Sequence, residues 1–276
     1  MATFAYVHAS ELLTGSGLRA KEGRNPEEKD LGRIVDGAVV LRTRGKRPDE
    51  ILWVGRTGDL PRKFSRVRKI NLKRQHALVP GLVDCHTHLV FAGDRSDEFA
   101  ARCAGATYQE IAAQGGGIQK TVRSTRSAPA SDLLRLAQER LDEVAAYGVR
   151  TIEAKSGYGL STEAELKSLR VLQALQKRNP EVALHPTFLG AHAFPPELAR
   201  DQYLRLLIEE MLPEVSRQRL ATACDVFVDE GYFTVEEARR ILTRARALGL
   251  AVKVHADELV CTNATVLACE LGALSA

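Results

Sequence analysis

The sequence predicts an α/β protein: a (β/α) barrel with about five of its eight strands, preceded by a small β region. Three observations carry this. From residue 81 onward, short apolar runs alternate with amphipathic helical segments, the grammar of parallel strands with helices crossing back over them. The chemically useful residues gather just past those runs: His86 and His88, then Lys155 to Tyr158, His192, Asp229 and Glu230, and His255 and Glu258. A (β/α)₈ barrel builds its site at that end of its strands. Five strands fall short of eight, which leaves open a smaller fold or part of a longer enzyme.

Residues 1–80 form the first predicted domain. Strands are expected over 4–13, 37–42, 51–54 and 69–72, separated by polar and Gly/Pro-rich turns. The charged stretch 21–33 is expected to be a loop. No segment here has helical length and period, so this part reads as a small β domain or half of one.

Residues 81–276 form the second. A buried strand is expected over 82–85. An amphipathic helix follows over 131–147, with Leu134, Ala137, Leu141, Val144 and Ala145 on one side and Gly148 ending it. A strand over 149–154 leads to a helix over 162–177, with Thr162 as N-cap and Glu165 completing a capping box. A strand is expected over 182–189, then a helix over 197–209 with a short second one after Pro213. The last units are a strand over 224–228, a helix over 234–248 closed by Gly249, a strand over 250–254 and a helix over 262–271. Neither G-x-G-x-x-G nor G-x-x-x-x-G-K-[ST] occurs, which argues against a nucleotide-binding open sheet.

The chain has 276 residues, 45% hydrophobic and 27% charged, the balance of a soluble globular protein. No apolar run approaches the ~18 residues of a membrane span, and no signal peptide is visible at the start. Cys85, Cys103, Cys224, Cys261 and Cys269 are scattered and form no C-x-x-C, so reduced thiols in the cytoplasm are expected. Net charge is +4. Basic residues crowd between Arg62 and Arg74, but no aromatic platform or recognition helix accompanies them. A solvated face is expected there, and no nucleic-acid partner.

The most telling stretch is Asp84-Cys85-His86-Thr87-His88, reached through Pro80-Gly81-Leu82-Val83. Side chains alternate along a strand, so His86 and His88 face the same way and can grip one borderline metal ion. Two ordinary strand histidines would look the same. His255, ending a second apolar run with Glu258 three residues on, favours the metal site: a third imidazole plus a carboxylate to handle protons.

These residues resemble the imidazolonepropionase family of the metal-dependent amidohydrolase superfamily. The matching stretches are Pro-Gly-Leu-Val-Asp-Cys-His-Thr-His (80–88), Phe-Ala-Gly-Asp-Arg (91–95), Ala-Gly-Ala-Thr-Tyr (104–108), Gly-Gly-Gly-Ile (115–118), Glu-Ala-Lys-Ser-Gly-Tyr-Gly-Leu (153–160), Thr-Phe-Leu-Gly-Ala-His (187–192), His-Ala-Asp-Glu (255–258) and Glu-Leu-Gly-Ala (270–273). The His-x-His and His-x-x-Glu elements specify the superfamily. The Lys-Ser-Gly-Tyr-Gly and Phe-Leu-Gly-Ala-His elements, with the triple glycine, point to the one family.

The resemblance implies a TIM-like barrel of the amidohydrolase type with a β-sandwich portion to which residues 1–80 contribute. It implies hydrolytic ring opening of 4-imidazolone-5-propanoate to N-formimidoyl-L-glutamate, with one zinc or iron ion. On matching positions, His86, His88 and His255 are the implied metal ligands. Arg95, Tyr158, His192 and Glu258 are the implied substrate contacts, with Tyr108 a further candidate for that pocket. Homodimers are common in the family. Its members also carry a histidine on the sixth strand and, on the eighth, an aspartate that is both metal ligand and proton acceptor. Neither position occurs within these 276 residues, so this chain alone is expected to be poorly active.

Each role has a chemical rationale beside a plainer one. A guanidinium binds a carboxylate through two parallel hydrogen bonds, which suits Arg95 to the substrate's propionate; the plainer role is a surface arginine paired with Asp94 or Asp97. Tyr158 sits between Gly157 and Gly159 and lines the pocket or anchors its loop. His192 hydrogen-bonds substrate or caps its loop. Glu258 is the candidate catalytic proton shuttle, or a helix-start acid. Lys155 could suggest a carbamylated bridge between two metals, as in some relatives, but the family implied here uses one metal, so Lys155 is expected to be structural or to support the ligands from behind. An aromatic-base deaminase of the same superfamily shares His-x-His and His-x-x-Glu, but has no propionate for Arg95 to hold. An inactive truncated fragment is the remaining alternative.

Overall fold

A computed structural model describes residues 2–45, 47–107 and 116–276, with the side chains of residues 47 and 48 also outside the description. Tyr108 therefore lies outside the described residues. The chain divides into two compact units: Met1–Leu82 with Asn179–Val182, and Val83–Arg178 with Ala183–Ala276.

The first unit holds a four-stranded sheet in the order β3-β2-β1-β4, formed by β1 (Thr3–Leu13), β2 (Arg33–Arg44), β3 (Arg47–Arg56) and β4 (Arg68–Asn71). β1 and β2 are antiparallel, as are β2 and β3, while β4 runs parallel to β1. Alternation sends Ala5, Val7, Ala38 and Val40 to one buried face, where Leu52, Trp53, Leu60, Phe64 and Val67 cover them. The register of β1 on β2 breaks between Tyr6 and Ala9; His8 there adopts φ 56° and bonds Asp36 through Nδ1 at 3.0 Å. The stretch expected to be a loop contains a 3₁₀ turn, Glu28–Leu31, and follows a five-residue helix α1 (Ser16–Ala20).

The second unit is a parallel α/β sheet of five strands, β5 (Leu82–Thr87), β6 (Val149–Lys155), β7 (Ala183–Ala191), β8 (Ala223–Val228) and β9 (Ala251–Ala256), paired in sequence order. Among the described residues its helices are α2 (Ser96–Cys103), α3 (Ile118–Ser127), α4 (Ala130–Ala146), α5 (Thr162–Arg178), α6 (Arg200–Arg205), α7 (Leu212–Arg217), α8 (Val235–Ala247) and α9 (Ala264–Glu270). Every residue of β8 is buried, as expected of a strand flanked on both sides and covered on both faces. Each of its large apolar side chains contributes about 1.5–3 kcal/mol by burial. Past α9, Leu274 and Ser275 run alongside β9: Leu274 N donates to Val252 O at 2.8 Å, and Val254 N to Ser275 O at 3.2 Å. None of the described helices is long and apolar enough to cross a membrane.

Several sequence expectations need correction. β5 is not buried: it is the first strand of the sheet, with Val83 65% exposed. Helices α2 and α3 were not expected. α3 buries Thr121, Val122 and Thr125, and a buried stripe made largely of threonine is invisible to a search for large apolar periodicity. In α4 the buried positions are Leu133, Ala137 and Leu141, with Leu133 in place of Leu134. α6 and α7 are joined by a π-helical turn, Leu206–Met211, so residues 200–217 form one helical run with Pro213 in the first turn of α7. Gly148 and Gly249 do follow α4 and α8 with φ of 90° and 83°.

The expected capping box of α5 is not formed. Ser161 stands at the N-cap, its Oγ accepting from Ala164 N at 3.4 Å, and the buried Thr162 Oγ1 has no partner. Glu165 turns instead into the loop before the helix. It accepts from Gly157 N at 3.0 Å, Gly159 N at 2.7 Å and Leu160 N at 2.9 Å. Three buried backbone donors with no strand to pair with are a stronger demand than one N-cap amide.

Candidate metal centre and active site

The sequence-predicted histidines sit at the C-terminal ends of their strands, and the curl of the sheet brings two of them together. In a flat sheet, five strands spaced ~4.8 Å apart would put β5 and β9 ~19 Å from each other. Here Nε2 of His86, near the end of β5, lies 3.1 Å from Nε2 of His255, near the end of β9. Their ring centroids are 4.7 Å apart, edge to face. Two imidazole nitrogens aimed at one point is the arrangement a shared cation would exploit.

His88, just past β5, points into an aromatic cluster. Its ring stacks on His192 with centroids 5.1 Å apart and planes within 7°. Tyr158 lies 4.6 Å from His88 and 5.3 Å from His192, and Phe91 packs on Tyr158 at 5.9 Å. Phe227 of β8 continues the wall, 6.4 Å from His192 and 5.5 Å from His255. The structure thus brings His86 to His255, and His88 to Tyr158 and His192. No described hydrogen bond, ion pair or ring contact joins the side chains of Arg95 or Glu258 to these rings. Arg95 is exposed at the start of α2, and Glu258 is exposed in the bend after β9. The acids beside Arg95 are otherwise engaged: Asp94 accepts from Ser96 N, and Asp97 binds Lys120 at 2.7 Å.

Backbone geometry explains how Tyr158 and His192 reach the cluster. Gly157 adopts φ 111°, and a Cβ there would stand 2.8 Å from both His192 Nδ1 and Leu189 O, so no other residue suits the position. His192 Nδ1 lies 3.0 Å from Gly157 O; a carbonyl only accepts, so Nδ1 carries the hydrogen and Nε2 the lone pair. The loop is clamped from both sides, by Glu165 on its N–H groups and by Arg126 on the carbonyls of Gly159 (2.6 Å) and Leu160 (2.8 Å).

Burial favours the neutral form of His86, His88 and His192. It pushes His88 well below its ordinary value, helped by the neighbouring His192 and His86 rings. Burial likewise lowers His192 to about 4, against the opposing bond to Gly157. Partial burial and then the Lys155 charge lower His86. Neutral imidazoles are the form that ligates metal.

Behind His255 lies a polar network that sequence reasoning missed. His255 Nδ1 is 3.0 Å from Asp225 Oδ2, and the same oxygen is 2.7 Å from Lys155 Nζ. Lys155 also binds Glu153 at 2.7 Å, and Glu153 binds Lys253 at 2.7 Å. Burial alone would raise the Asp225 carboxyl, but His255 and Lys155 outweigh it and hold it at about 2. The signal was available: Glu153, Asp225 and Lys253 interrupt apolar strand runs at the inward, alternate positions shared with Lys155 and His255. Two further acids shape the bend carrying Glu258. Buried Asp229 accepts from Leu259 N at 2.7 Å and Val260 N at 3.2 Å. Asp257, which alternation would put on the same face as His255, lies one residue past the end of β9 with φ 56°, and it accepts from Thr262 N at 2.7 Å and Thr265 N at 3.1 Å and so caps α9.

The donor set suits a borderline divalent ion. His88 Nδ1 and Asp225 Oδ1 are buried without hydrogen-bond partners, and two Nε2 atoms already converge. The expected trio is not assembled as it stands: among the described residues no three His, Cys, Asp or Glu side chains form a metal-holding group, since His88 is stacked on His192.

A curled parallel sheet with histidines at its strand ends is the architecture of the metal-dependent amidohydrolase barrel, represented here by five strands. Solved structures agree at the level of fold. The 5-methylcytosine deaminase from Klebsiella pneumoniae superposes with a TM-score of 0.61 at 14% identity, over 97% of this chain and 55% of that one. A mutant atrazine chlorohydrolase from Arthrobacter aurescens, complexed with zinc, gives 0.54 at 13% identity, over 98% and 56%. No family model matches the chain. By sequence, however, it belongs to the imidazolonepropionase family. It is 49% identical to the imidazolonepropionase of Symbiobacterium thermophilum over 278 residues, covering 98% of this chain. It is 43% identical to that of Bdellovibrio bacteriovorus over 269 residues. The chain spans 63% and 62% of those two relatives' lengths.

Proposed function

We propose that this chain carries the site of an imidazolonepropionase, opening 4-imidazolone-5-propanoate with water to give N-formimidoyl-L-glutamate, in the cytoplasm. The observation that carries the reading is the meeting of His86 and His255 across the sheet, 3.1 Å apart at Nε2. It supports His86, His88 and His255 as holders of one zinc or iron ion, with His88 rotating off the His192 ring to join them. When bound, such an ion lowers the pKa of water to about 7 and polarises a carbonyl.

The chain's own residues would do the rest. Phe91, Tyr158 and Phe227 form an apolar wall against which a planar five-membered ring lies flat while bulk water is kept off. His192, with its hydrogen held at Nδ1 by Gly157, presents Nε2 as acceptor to a ring N–H. Arg95 pairs with the propionate on reaching inward from α2. Glu258 takes a proton at its carboxylate and returns it to the departing ring nitrogen. A cytosine- or guanine-type base offers Arg95 nothing to bind, which disfavours the deaminase reading.

The test loads the purified chain with zinc or iron and offers imidazolonepropanoate, cytosine and guanine in turn. Metal at one per chain, lost on His86→Ala or His255→Ala, with slow consumption of imidazolonepropanoate and of neither base, is the expected result. Consumption of a base, or metal content indifferent to both substitutions, would overturn the proposal.

A further inference from the structure

The buried charges behind His255 have a directional arrangement that burial alone does not require. Lys155 is 3% exposed at its side chain and Asp225 2%. Lys155 Nζ sits between two carboxylates, Glu153 Oε1 and Asp225 Oδ2, each at 2.7 Å. Thr187 Oγ1 donates to the same Glu153 oxygen at 2.6 Å, and Lys253 Nζ to the other at 2.7 Å. Two cations and two anions cancel, which lets the quartet be buried. This also disposes of a carbamylated Lys155, which would put a third anion between Glu153 and Asp225.

Of the quartet, Asp225 alone touches a site histidine. Its Oδ2 stands 3.0 Å from His255 Nδ1. A carboxylate only accepts, so Nδ1 must carry the hydrogen, and Nε2, which faces His86, is left with the lone pair. We propose that Lys155 and Asp225 are positioning residues: Lys155 anchors the Asp225 carboxylate, and Asp225 fixes the ring orientation and tautomer of His255 so that Nε2 is the ligating atom. The metal clause rests on the hydrolase reading above; the tautomer clause does not. Partners of this kind, beyond the ligands themselves, change metal affinity 10- to 100-fold when removed.

The geometry separates this role from general stabilisation, because Lys253, although it stands opposite Asp225 in the strand register, gives its ammonium bond to Glu153, and no described hydrogen bond or ion pair joins its side chain to Asp225 or His255. The experiment uses the 276-residue chain, labelled with ¹⁵N-histidine and metal-free, with the His255 signals assigned by their loss in His255→Ala. Nδ1 should resonate as the hydrogen-bearing nitrogen and Nε2 as the lone-pair one. Asp225→Ala and Lys155→Met should give a tautomer mixture and weaken zinc binding at least tenfold in a competition titration. Asp225→Asn keeps an acceptor oxygen and should largely restore the wild-type tautomer. Lys253→Met should lower the unfolding midpoint while leaving both tautomer and zinc affinity in place. The proposal falls if unmodified His255 carries its hydrogen on Nε2, a result that needs no variant to fold. It falls equally if Lys253→Met shifts the tautomer as much as Lys155→Met. Failure of the unmodified chain to bind zinc would count against the hydrolase reading, while the tautomer measurement would still decide the role of Lys155 and Asp225.

Discussion

Glu165→Ala should be among the most damaging substitutions outside the histidines. The side chain is fully buried and accepts three backbone N–H bonds, from Gly157, Gly159 and Leu160. Truncation leaves those donors facing a small cavity. Each unsatisfied buried donor costs about 1–3 kcal/mol, and water entering the vacated space recovers part of that. A net loss of about 4 kcal/mol is a fair central value. With a urea m-value of about 3 kcal/mol/M, the midpoint should fall by about 1.3 M. Far-UV circular dichroism is the right probe, because nearly all the described helix lies in the five-stranded unit. Trp53, the single tryptophan, lies in the other unit, so its fluorescence is a separate reporter. Glu165→Gln, which retains one acceptor oxygen, should lose about half as much. A helical transition displaced by less than ~0.4 M in Glu165→Ala would refute the claim that this carboxylate holds the loop together.

Other expectations follow from single features. Gly157→Ala forces a Cβ to within 2.8 Å of Leu189 O at φ 111°. It should destabilise by more than ~1 kcal/mol in thermal melts and displace His192, read as a loss of its Nδ1–H tautomer. Thr234→Ala removes the acceptor for Glu237 N at the start of α8 and should cost about 1 kcal/mol in urea unfolding. At the same cap, burial raises the Glu237 carboxyl, but Arg200 and the Thr234 N–H outweigh it and hold it below its ordinary 4.5. Its folded-state value is depressed, so its contribution is present above pH ~4.5 and lost as pH falls further; Glu237→Gln should flatten the stability profile on that acid side. Val83, 65% exposed on the edge strand β5, invites strand-to-strand association. Val83→Lys should reduce concentration-dependent sedimentation, and unchanged sedimentation would acquit that edge.

The alternation of strands and helices, the caps at Gly148 and Gly249, and the placing of His86, His88, His192 and His255 at or just past strand ends were all legible in the linear sequence. They depend on local period and on residue type, which a strand or helix expresses wherever it sits. The helices α2 and α3 were not legible, because their buried sides carry few large apolar residues.

Which histidine meets which was decided only in three dimensions. His86 and His88 share a strand face by alternation, yet curling of the sheet sends one to His255 and the other onto His192 and Tyr158. Glu165 carries a capping-box signature, but three stranded loop amides claimed it. Asp225 and Lys155 are 70 residues apart; their inward placement on apolar strands was legible, but the linear sequence does not say which of the inward charges pair. Local propensity acts over a few residues, whereas the pairing of buried charges and the convergence of imidazoles depend on where curvature puts strands distant in sequence. That is why the sequence could nominate the histidines and only the folded chain could supply the Lys155–Asp225–His255 line behind one of them.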